Sequence, residues 1–377
     1  MRVAVLPGDG IGPEVTAAAV ECMREAGAAE GLAIDCTYLP VGGDAIEQCG
    51  EPLPAETLAA CRESDAVLLG AVGGPKWDRL PRPKRPESGL LALRASLGLC
   101  ANIRPVRSHR PLVGVSPLRA DVAARGMDVL IVRELSGGLY YGTPSRCRSR
   151  GGTRSAVDTM RYDEHQVERV VRLAFQLSAR RRRGVLSVDK ANVLSCSRLW
   201  RETAQRVAAD YPGVALEHMY VDAAAAELVL RPWRIDVLVT ENTFGDILSD
   251  LAGAAVGSLG LLPSASLGHS SGPGLFEPVH GSAPGLAGRD LADPIGAILS
   301  ASMLLMYSGP GESGRRAAAR IESAVMRVLD AGYRTPDIAE EGSKVVGTSA
   351  MGDLVRRAIR DDGHGRGGPA SESPTNE

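Results

Sequence analysis

Residues 237–250 read Val-Leu-Val-Thr-Glu-Asn-Thr-Phe-Gly-Asp-Ile-Leu-Ser-Asp, and this stretch contains the pattern that decides the fold. A short apolar run, typical of a strand buried on both faces, leads through polar residues into a helical pattern. Further apolar runs occur at residues 3–6, 66–69, 129–132 and 185–188. Strands that alternate with helices predict an α/β protein whose sheet is covered on both faces.

Other segments complete this alternation. The apolar spacing predicts helices over residues 13–26, 54–63 and 164–179, and strands over residues 33–39 and 216–221. The stretches 70–89 and 268–288 are dense in proline and glycine, so we expect long loops there. Long loops inside a compact domain usually carry function.

The composition indicates a soluble globular chain of one large or two medium domains. Of 377 residues, 44% are hydrophobic and 23% are charged. A formal net charge of -2 provides no attraction to nucleic acid or to an anionic membrane. The arginine run 180–183 is typical of a solvated helix end. We therefore expect no nucleic-acid partner and no membrane partner.

The cysteines and the chain ends indicate a cytoplasmic protein. Seven cysteines are scattered without a C-x-x-C pair, which favours reduced thiols. The first residues run directly into a strand and a glycine loop, unlike a signal peptide. The apolar stretch 295–306 is too short to span a bilayer. The tail 362–377 is predicted to be disordered.

Three aspartates are candidates for a metal site. Asp246 and Asp250 lie four residues apart in a helical pattern and therefore project from one face. Together with Asp222, which follows the run 216–221, they offer the carboxylate oxygens that Mg²⁺ or Mn²⁺ prefers. For any single aspartate, a capping role at a helix start is the better interpretation, but the recurrence of aspartates at several strand exits favours a site.

Five further residues are candidates for substrate chemistry. Arg94, Arg104 and Arg133 can each bind a carboxylate in bidentate fashion, although an arginine-rich chain has many surface arginines. Lys190 follows a predicted buried strand and can act as a base, or it can simply extend to solvent. Tyr140 lies in a glycine-rich segment, where it can deliver a proton or only pack.

The glycine-rich segment at residues 8–12 is not a dinucleotide-binding fingerprint. Gly8-Asp-Gly-Ile-Gly follows a predicted strand and precedes a predicted helix. Its third glycine comes two residues after the second, whereas the fingerprint requires three. The segment predicts a tight turn and gives no support to a Rossmann fold.

Six strings in order along the chain resemble the β-decarboxylating dehydrogenase family, which includes the isopropylmalate, isocitrate, homoisocitrate and tartrate dehydrogenases. The resemblance extends from Val3 to about Leu354. The strings are Leu6-Pro-Gly-Asp-Gly-Ile-Gly-Pro-Glu, Leu69-Gly-Ala-Val-Gly-Gly-Pro-Lys-Trp, Val132-Arg-Glu-Leu-Ser-Gly-Gly-Leu-Tyr, Val188-Asp-Lys-Ala-Asn-Val, Gly245-Asp-Ile-Leu-Ser-Asp and Phe276-Glu-Pro-Val-His-Gly-Ser-Ala-Pro.

The resemblance implies a two-domain isocitrate/isopropylmalate dehydrogenase-like α/β fold. Residues 1–101 and 258–361 would form the cofactor-binding domain, and residues 102–257 the dimerisation and catalytic domain. The active site would lie in the cleft of a homodimer. Lys190 and Asp222 would come from the neighbouring subunit, so a monomer would be inactive.

The resemblance also implies a role for each candidate residue. Asp222, Asp246 and Asp250 would hold Mg²⁺ or Mn²⁺, with Asp222 also touching the substrate. Arg94, Arg104 and Arg133 would bind the malate carboxylates. Lys190 would deprotonate the C2 hydroxyl, and Tyr140 would protonate the enolate after CO₂ leaves.

Three residues would select the substrate. Leu90, Leu91 and, across the dimer, Val193 match the lining of an apolar pocket, and two leucines disfavour burial of a third carboxylate. The implied reaction is oxidative decarboxylation of 3-isopropylmalate to 4-methyl-2-oxopentanoate with reduction of NAD, a step of leucine biosynthesis. The alternatives are a paralogous enzyme for another apolar 3-substituted malate or for tartrate, and a non-catalytic regulatory subunit.

The cofactor is expected to be NAD, but the family pattern is altered at two positions. The family's ribose-binding aspartate is replaced by Gly285, and its asparagine further on by Asp293. Reduced discrimination between NAD and NADP, or weaker binding of NAD, is therefore expected. The residues that the resemblance assigns to the cofactor are Glu87, Asn192, Glu277, His280, Gly281, Ser282, Ala283, Gly285 and Asp293.

Overall fold

The fold is built around one large sheet that is buried on both faces. The structure is a computed structural model that describes residues 1–268 and 272–361. The strands are β1 Arg2–Gly8, β2 Asp35–Tyr38, β3 Ala66–Ala71, β4 Leu99–Arg107, β5 Asp128–Glu134, β6 Arg146–Arg150, β7 Thr153–Val157, β8 Gly184–Asp189, β9 Ala215–Tyr220, β10 Val237–Thr240, β11 Pro263–Gly268, β12 Gly274–Pro278, β13 Tyr333–Arg334 and β14 Lys344–Val345.

Within the described residues, ten of these strands form one sheet in the order β2-β1-β3-β12-β11-β4-β5-β10-β8-β9. The strands at either end pair in parallel, whereas β12, β11, β4 and β5 pair antiparallel in the middle. The parallel strands are joined by helical crossovers, as parallel pairing requires. Two short pairs of strands lie outside this sheet: β6 and β7 form an antiparallel hairpin, and β13 pairs in parallel with β14.

The helices cover both faces of the sheet. They are α1 Gly12–Ala29, α2 Gly42–Cys49, α3 Ala55–Glu63, α4 Pro86–Ser96, α5 Ala120–Ala123, α6 Glu164–Ser178, α7 Ser195–Ala208, α8 Val221–Leu230, α9 Asn242–Val256, α10 Ile295–Ser308, α11 Gly311–Asp330 and α12 Thr348–Asp361. One layer contains α1, α6, α7 and α10–α12; the other contains α2–α4, α8 and α9.

Strand alternation divides the apolar side chains between the two layers. Val237 and Val239 of β10 belong to one core, and Leu238 belongs to the core on the opposite face. Val5 and Leu6 of β1 are divided in the same way. Such strands are apolar along their whole length because both faces are buried. The predicted α/β fold class is confirmed.

One expectation about local structure was wrong, and another holds for Arg180, Arg182 and Arg183, which are exposed, but not for Arg181. The stretch 268–288 is not one long loop, because Gly274–Pro278 forms β12, and every residue of this strand is buried. β12 forms hydrogen bonds with β3 on one side and with β11 on the other, and the local sequence indicates neither of these partners. The run 180–183 is not simply solvated, since Arg181 forms an ion pair with the buried Asp236 at 2.8 Å.

Several predictions concern features beyond these elements. The division into domains 1–101 with 258–361 and 102–257 stays a prediction, since one sheet runs through both. The predicted disorder of residues 362–377 lies outside the described residues. All seven cysteines are free thiols. Along residues 1–268 and 272–361, none of the helices has both the length and the apolar character needed to cross a bilayer.

Candidate functional site

The carboxyl ends of β5 and β10 lie side by side, and the candidate site begins there. The two strands pair in parallel, with Val239 opposite Val132 and Thr240 opposite Arg133. Helix α9 starts directly after β10, with Glu241 as its N-cap. Ligands collect at this edge in α/β sheets because loops and helix starts meet there.

Asp246 is the centre of a cluster of predicted residues. Its Oδ2 accepts a hydrogen bond from the Tyr140 hydroxyl at 2.8 Å. Its Oδ1 is bound by the guanidinium of Arg133 and lies 3.4 Å from that of Arg104. Asp250, one turn further along α9, lies 3.4 Å from Arg104. The structure thus brings five of the predicted residues together.

The charges in this cluster shift one another's ionisation. Burial acts to raise the pKa of Asp246, but the guanidinium groups of Arg133 and Arg104 hold it below its usual value. Burial, together with the neighbouring Arg104, lowers the pKa of Arg133 to about 10. Burial raises the pKa of Asp250, and the neighbouring Asp246 adds to this. The crowded cations favour binding of a substrate with two carboxylates.

Burial and the neighbouring Asp246 raise the pKa of Tyr140 to about 12. The phenol therefore keeps its proton at neutral pH. A group that retains its proton and points into a polar cluster can act as a proton donor when a basic carbon develops beside it.

Sequence reasoning missed the side chains that hold the arginines in place. Asn242 accepts a hydrogen bond from Arg133 Nε at 3.0 Å. Asn102 accepts from Arg104 Nε at 2.6 Å, and Ser249 from its terminal nitrogen at 2.6 Å. Asn242 and Ser249 lie within the opening string 237–250, which could have suggested them, whereas nothing in the sequence links Asn102 to the site.

Lys190 and Asp222 form a separate pair. The Lys190 Nζ lies 2.6 Å from Asp222 Oδ1, and this hydrogen bond lowers the pKa of the carboxyl. Asn192 and Val193 follow Lys190 on the surface, where Val193 is 63% exposed. Across residues 1–268 and 272–361, no group of three or more His, Cys, Asp or Glu side chains could hold a metal ion. One subunit therefore does not assemble the three predicted ligands.

Helix α4 carries the predicted substrate pocket. Leu90 and Leu91 are half-buried on it, and the Tyr141 hydroxyl donates to the carbonyl of Leu91 at 3.3 Å. Arg94, buried at the end of this helix, forms an ion pair with the buried Glu277 of β12. Glu87 is exposed in the first turn. This ion pair places Arg94, a predicted substrate-binding residue, directly beside Glu277, a predicted cofactor-binding residue.

The remaining cofactor candidates lie on the segment after β12. The His280 Nδ1 donates a hydrogen bond to the Gly281 carbonyl at 2.9 Å, while its buried Nε2 has no hydrogen-bond partner among residues 1–268 and 272–361. Burial lowers the pKa of His280. Ser282 is buried, Ala283 is half-buried, and the Ser282 carbonyl accepts the Ile11 amide at 2.8 Å.

The two altered positions differ in their surroundings. Gly285 is exposed, and a Cβ added there would meet no atom within 4 Å. Asp293 is buried, and its Oδ1 accepts the Ile295 amide at 2.8 Å at the start of α10. Burial raises the pKa of Asp293 well above its usual value. A neutral carboxylic acid at this position can donate a hydrogen bond, as the amide of asparagine does.

The chain is similar to known proteins over nearly its whole length. The family model described as isocitrate/isopropylmalate dehydrogenase matches residues 2–355. The chain is 53% identical over 359 residues to the 3-isopropylmalate dehydrogenase of Nitratidesulfovibrio vulgaris, covering 95% of this chain and 99% of that protein. It is 54% identical over 361 residues to the 3-isopropylmalate dehydrogenase of Geobacillus kaustophilus, covering 96% of each.

The fold is also similar to solved structures. An isocitrate dehydrogenase from Methylococcus capsulatus superposes with a TM-score of 0.84 at 35% identity, covering 95% of this chain and 99% of that one. The relatives similar in sequence and this neighbour in structure carry the names of different substrates. The fold by itself therefore does not select the substrate, and the side chains of the site must do so.

Proposed function

The chain belongs to the isocitrate/isopropylmalate dehydrogenase family, and we propose that it oxidatively decarboxylates 3-isopropylmalate to 4-methyl-2-oxopentanoate in leucine biosynthesis, with NAD as the electron acceptor. The observation that carries the proposal is the convergence of Tyr140, Arg104 and Arg133 on Asp246. The identity of about half the residues with full-length 3-isopropylmalate dehydrogenases supports the same reaction.

The arginines bind and orient the substrate. Arg94, Arg104 and Arg133 are all buried, so their guanidinium groups offer fixed hydrogen-bond donors with little solvent screening. A substrate carboxylate replaces Asp246 and Glu277 as the partner of some of these donors. Leu90 and Leu91 accommodate an apolar 3-substituent on the same side of α4. This combination fits a malate with an alkyl group at C3.

Carboxylates of the site fit a divalent cation. The side chains of Asp246 and Asp250 are 33% and 53% exposed, so their oxygens are accessible at the mouth of the site. An oxygen-only donor set suits Mg²⁺ or Mn²⁺. When bound, such a cation orients the hydroxy acid and stabilises negative charge at its C2 oxygen.

Lys190 and Tyr140 move the protons. Lys190 takes the proton of the C2 hydroxyl, and NAD, when bound, would supply the acceptor for the hydride of C2. The C3 carboxyl then leaves as CO₂, and its bonding electrons form an enolate. Tyr140 delivers its proton to C3, which yields the 2-oxo acid.

We propose that the enzyme is a cytoplasmic homodimer in which Lys190 and Asp222 complete the site of the partner. The exposed stripe of α8 carries Asp222, Ala226 and Leu230, and that of α9 carries Ile247 and Asp250. Leu230 and Ile247 are 55% and 61% exposed, unusual for large apolar side chains on adjacent helices. A two-fold pairing of these faces buries them and brings Asp222 of one copy toward Asp250 of the other.

The hairpin of β6 and β7 supports a second copy as the occupant of this side of the molecule. Its two strands pair only with each other within the described residues, and every residue of β7 is exposed. A two-stranded hairpin alone is marginally stable in water. Packing against the partner's hairpin would supply the missing contacts.

A panel of 3-substituted malates tests the reaction. We expect Mg²⁺- or Mn²⁺-dependent reduction of NAD with 3-isopropylmalate, and slower turnover with isocitrate and tartrate. Lys190→Ala and Tyr140→Phe should each lower kcat by about a hundredfold or more, the usual contribution of a proton-transfer group. A chain that turns over none of the panel, or variants with unchanged rates, would contradict the proposal and favour a regulatory subunit.

A further inference from the structure

One phenol and two carboxyl groups form a buried cluster directly behind the site. Tyr162, Glu134 and Glu241 are 7%, 0% and 3% exposed. Glu134 ends β5, Glu241 precedes α9 and Tyr162 lies just before α6, so the chain brings together three distant segments. None of the three belongs to the predicted catalytic or binding residues.

Glu134 anchors the segment that carries Tyr140. Its Oε1 accepts the Ser136 amide at 2.7 Å, and its Oε2 accepts the Gly137 amide at 2.9 Å. The Ser136 hydroxyl also donates to this carboxyl. These bonds determine how the chain leaves β5. The bonded residues lie three to six positions before Tyr140, the last residue of the helical turn Gly138–Tyr140.

Glu241 anchors the helix that carries Asp246. Its carboxyl accepts the amides of Thr243 at 2.9 Å and Phe244 at 2.7 Å, which caps the first turn of α9. Asp246 follows within the next turn. The position of Glu241 therefore sets the position of the aspartate that Tyr140 contacts.

Tyr162 lies between the two anchored segments and contacts both. Its hydroxyl donates to Glu241 Oε2 at 3.3 Å and accepts the amide of Asn242 at 3.0 Å. The same hydroxyl lies so close to Gly138, which has φ +76°, that a Cβ there would approach it to 2.6 Å. Asn242 adds a bond from its side chain to the Gly137 carbonyl at 3.0 Å.

We propose that Tyr162 is a positioning residue that, with Glu134 and Glu241, sets the Tyr140 hydroxyl against Asp246 for proton delivery. This inference rests on the proposed function. Burial raises the pKa of both Glu134 and Glu241, so an apolar core would be less costly to fold than this cluster. The benefit lies in the geometry: the Tyr162 hydroxyl is hydrogen-bonded to the start of α9 and at the same time packs closely against Gly138 in the turn that carries Tyr140.

A double-mutant cycle tests whether Tyr162 acts through Tyr140. Tyr162→Phe keeps the ring, and with it the edge-on contact with Trp200 at 6.0 Å, but removes the hydroxyl. We expect kcat to fall about tenfold to a hundredfold, as for a displaced catalytic group, with a much smaller change in the KM for 3-isopropylmalate. In the Tyr140→Phe background, the same change should cost less than about threefold.

The matched control is Tyr211→Phe, which removes a hydroxyl from a tyrosine that stacks on Phe175 at 5.1 Å, away from both anchors. Its kcat should equal that of the wild type. Melting temperatures show whether each variant folds. If Tyr162→Phe does not fold, Glu241→Gln takes its place in the double-mutant cycle.

Two results would overturn the positioning role. One is a Tyr162→Phe enzyme whose kcat stays within about twofold of the wild type; the other is a loss that multiplies with that of Tyr140→Phe. Both require an active wild type. An inactive wild type on the whole malate panel overturns the proposed function instead, so the two failures are distinct.

Discussion

Asp246 has more partners than a single aspartate at a helix start requires. Arg104, Arg133 and Tyr140 all contact it, and the two guanidinium groups hold its pKa low against the effect of burial. Its residue type and spacing are compatible with a metal ligand and with a helix cap. The side chains that contact it lie on β4, on β5 and in the turn Gly138–Tyr140, and a helix cap requires none of these contacts.

Gly285 provides a prediction at the same scale. An aspartate fits there because a Cβ would meet nothing within 4 Å. We expect Gly285→Asp to raise kcat/KM for NAD about tenfold, since a charged hydrogen bond to the ribose hydroxyls contributes roughly 1.5–3 kcal/mol before solvent screening. It should lower kcat/KM for NADP, because the carboxylate repels a 2′-phosphate.

Gly285→Asn is the matched control for charge. It keeps a hydrogen-bonding oxygen but should discriminate less against NADP. Steady-state kinetics with both cofactors provide the measurement. A wild type that already prefers NAD by about a thousandfold would show that the missing aspartate does not matter.

At the scale of elements, the close approach of α9 to β5 holds the arginine in the site. Gly245 faces Arg133, and a Cβ at Gly245 would lie 2.7 Å from the Cβ and 2.6 Å from the Cγ of that residue. The backbone fixes the position of the Arg133 Cβ, so no rotation of the side chain relieves this overlap. The helix therefore needs glycine at this position for Arg133 to reach Asn242 and Asp246.

The resulting prediction compares two glycines of the same helix. Gly245→Ala should destabilise the protein by about 1–3 kcal/mol, the usual cost of overpacking, and raise the KM for the dicarboxylate substrate. Gly253→Ala meets only the ends of the Leu262 and Leu259 side chains, which can move. It should leave activity near the wild-type level.

Thermal melting and steady-state kinetics measure both effects. If the two variants have the same KM, the contact between Gly245 and Arg133 does not control substrate binding. Equal melting temperatures for both variants would argue against the steric account itself.

At the scale of the whole molecule, the proposed site is complete only when two copies meet. Lys190 and Asp222 pair with each other, while Tyr140, Asp246 and Asp250 gather elsewhere. The exposed apolar side chains of α8 and α9 lie on the same faces as Asp222 and Asp250. Association and catalysis are therefore expected to depend on one surface.

Subunit mixing tests the shared site. A Lys190→Ala subunit and a Tyr140→Phe subunit are each inactive as homodimers under the proposal. In a heterodimer, one site receives both defects and the other none. Co-expression at equal levels should restore about a quarter of the wild-type activity, because half the dimers are mixed and each has one intact site.

The control for subunit mixing is Lys190→Ala co-expressed with a second Lys190→Ala chain, which should stay inactive. If the mixed pair also stays inactive although heterodimers are isolated, the site is not shared between subunits. Leu230→Glu should shift the protein toward monomer in analytical ultracentrifugation and abolish activity together with association.

Much of this protein was determined by sequence alone. The alternation of apolar runs and helical patterns established the α/β class, because burial on both faces imposes a continuous apolar strand. The motif strings established the family, and the strand exits selected Asp246, Tyr140 and Arg133. Local sequence suffices for the fold class and the family, since each depends on residues close together in the chain, whereas the three side chains were only candidates until their contacts were known.

Tertiary structure alone decided the partnerships. The sequence predicts a loop where the structure has β12. This five-residue run forms a strand because β3 and β11 lie on either side of it, and its own sequence does not show these partners. Asn102, Tyr162 and Glu134 have no local signal either, since their partners lie on other elements. The separation of Lys190 and Asp222 from Asp246 arises in the same way: distances between sequence-remote side chains follow from packing, and no spacing along the chain encodes them.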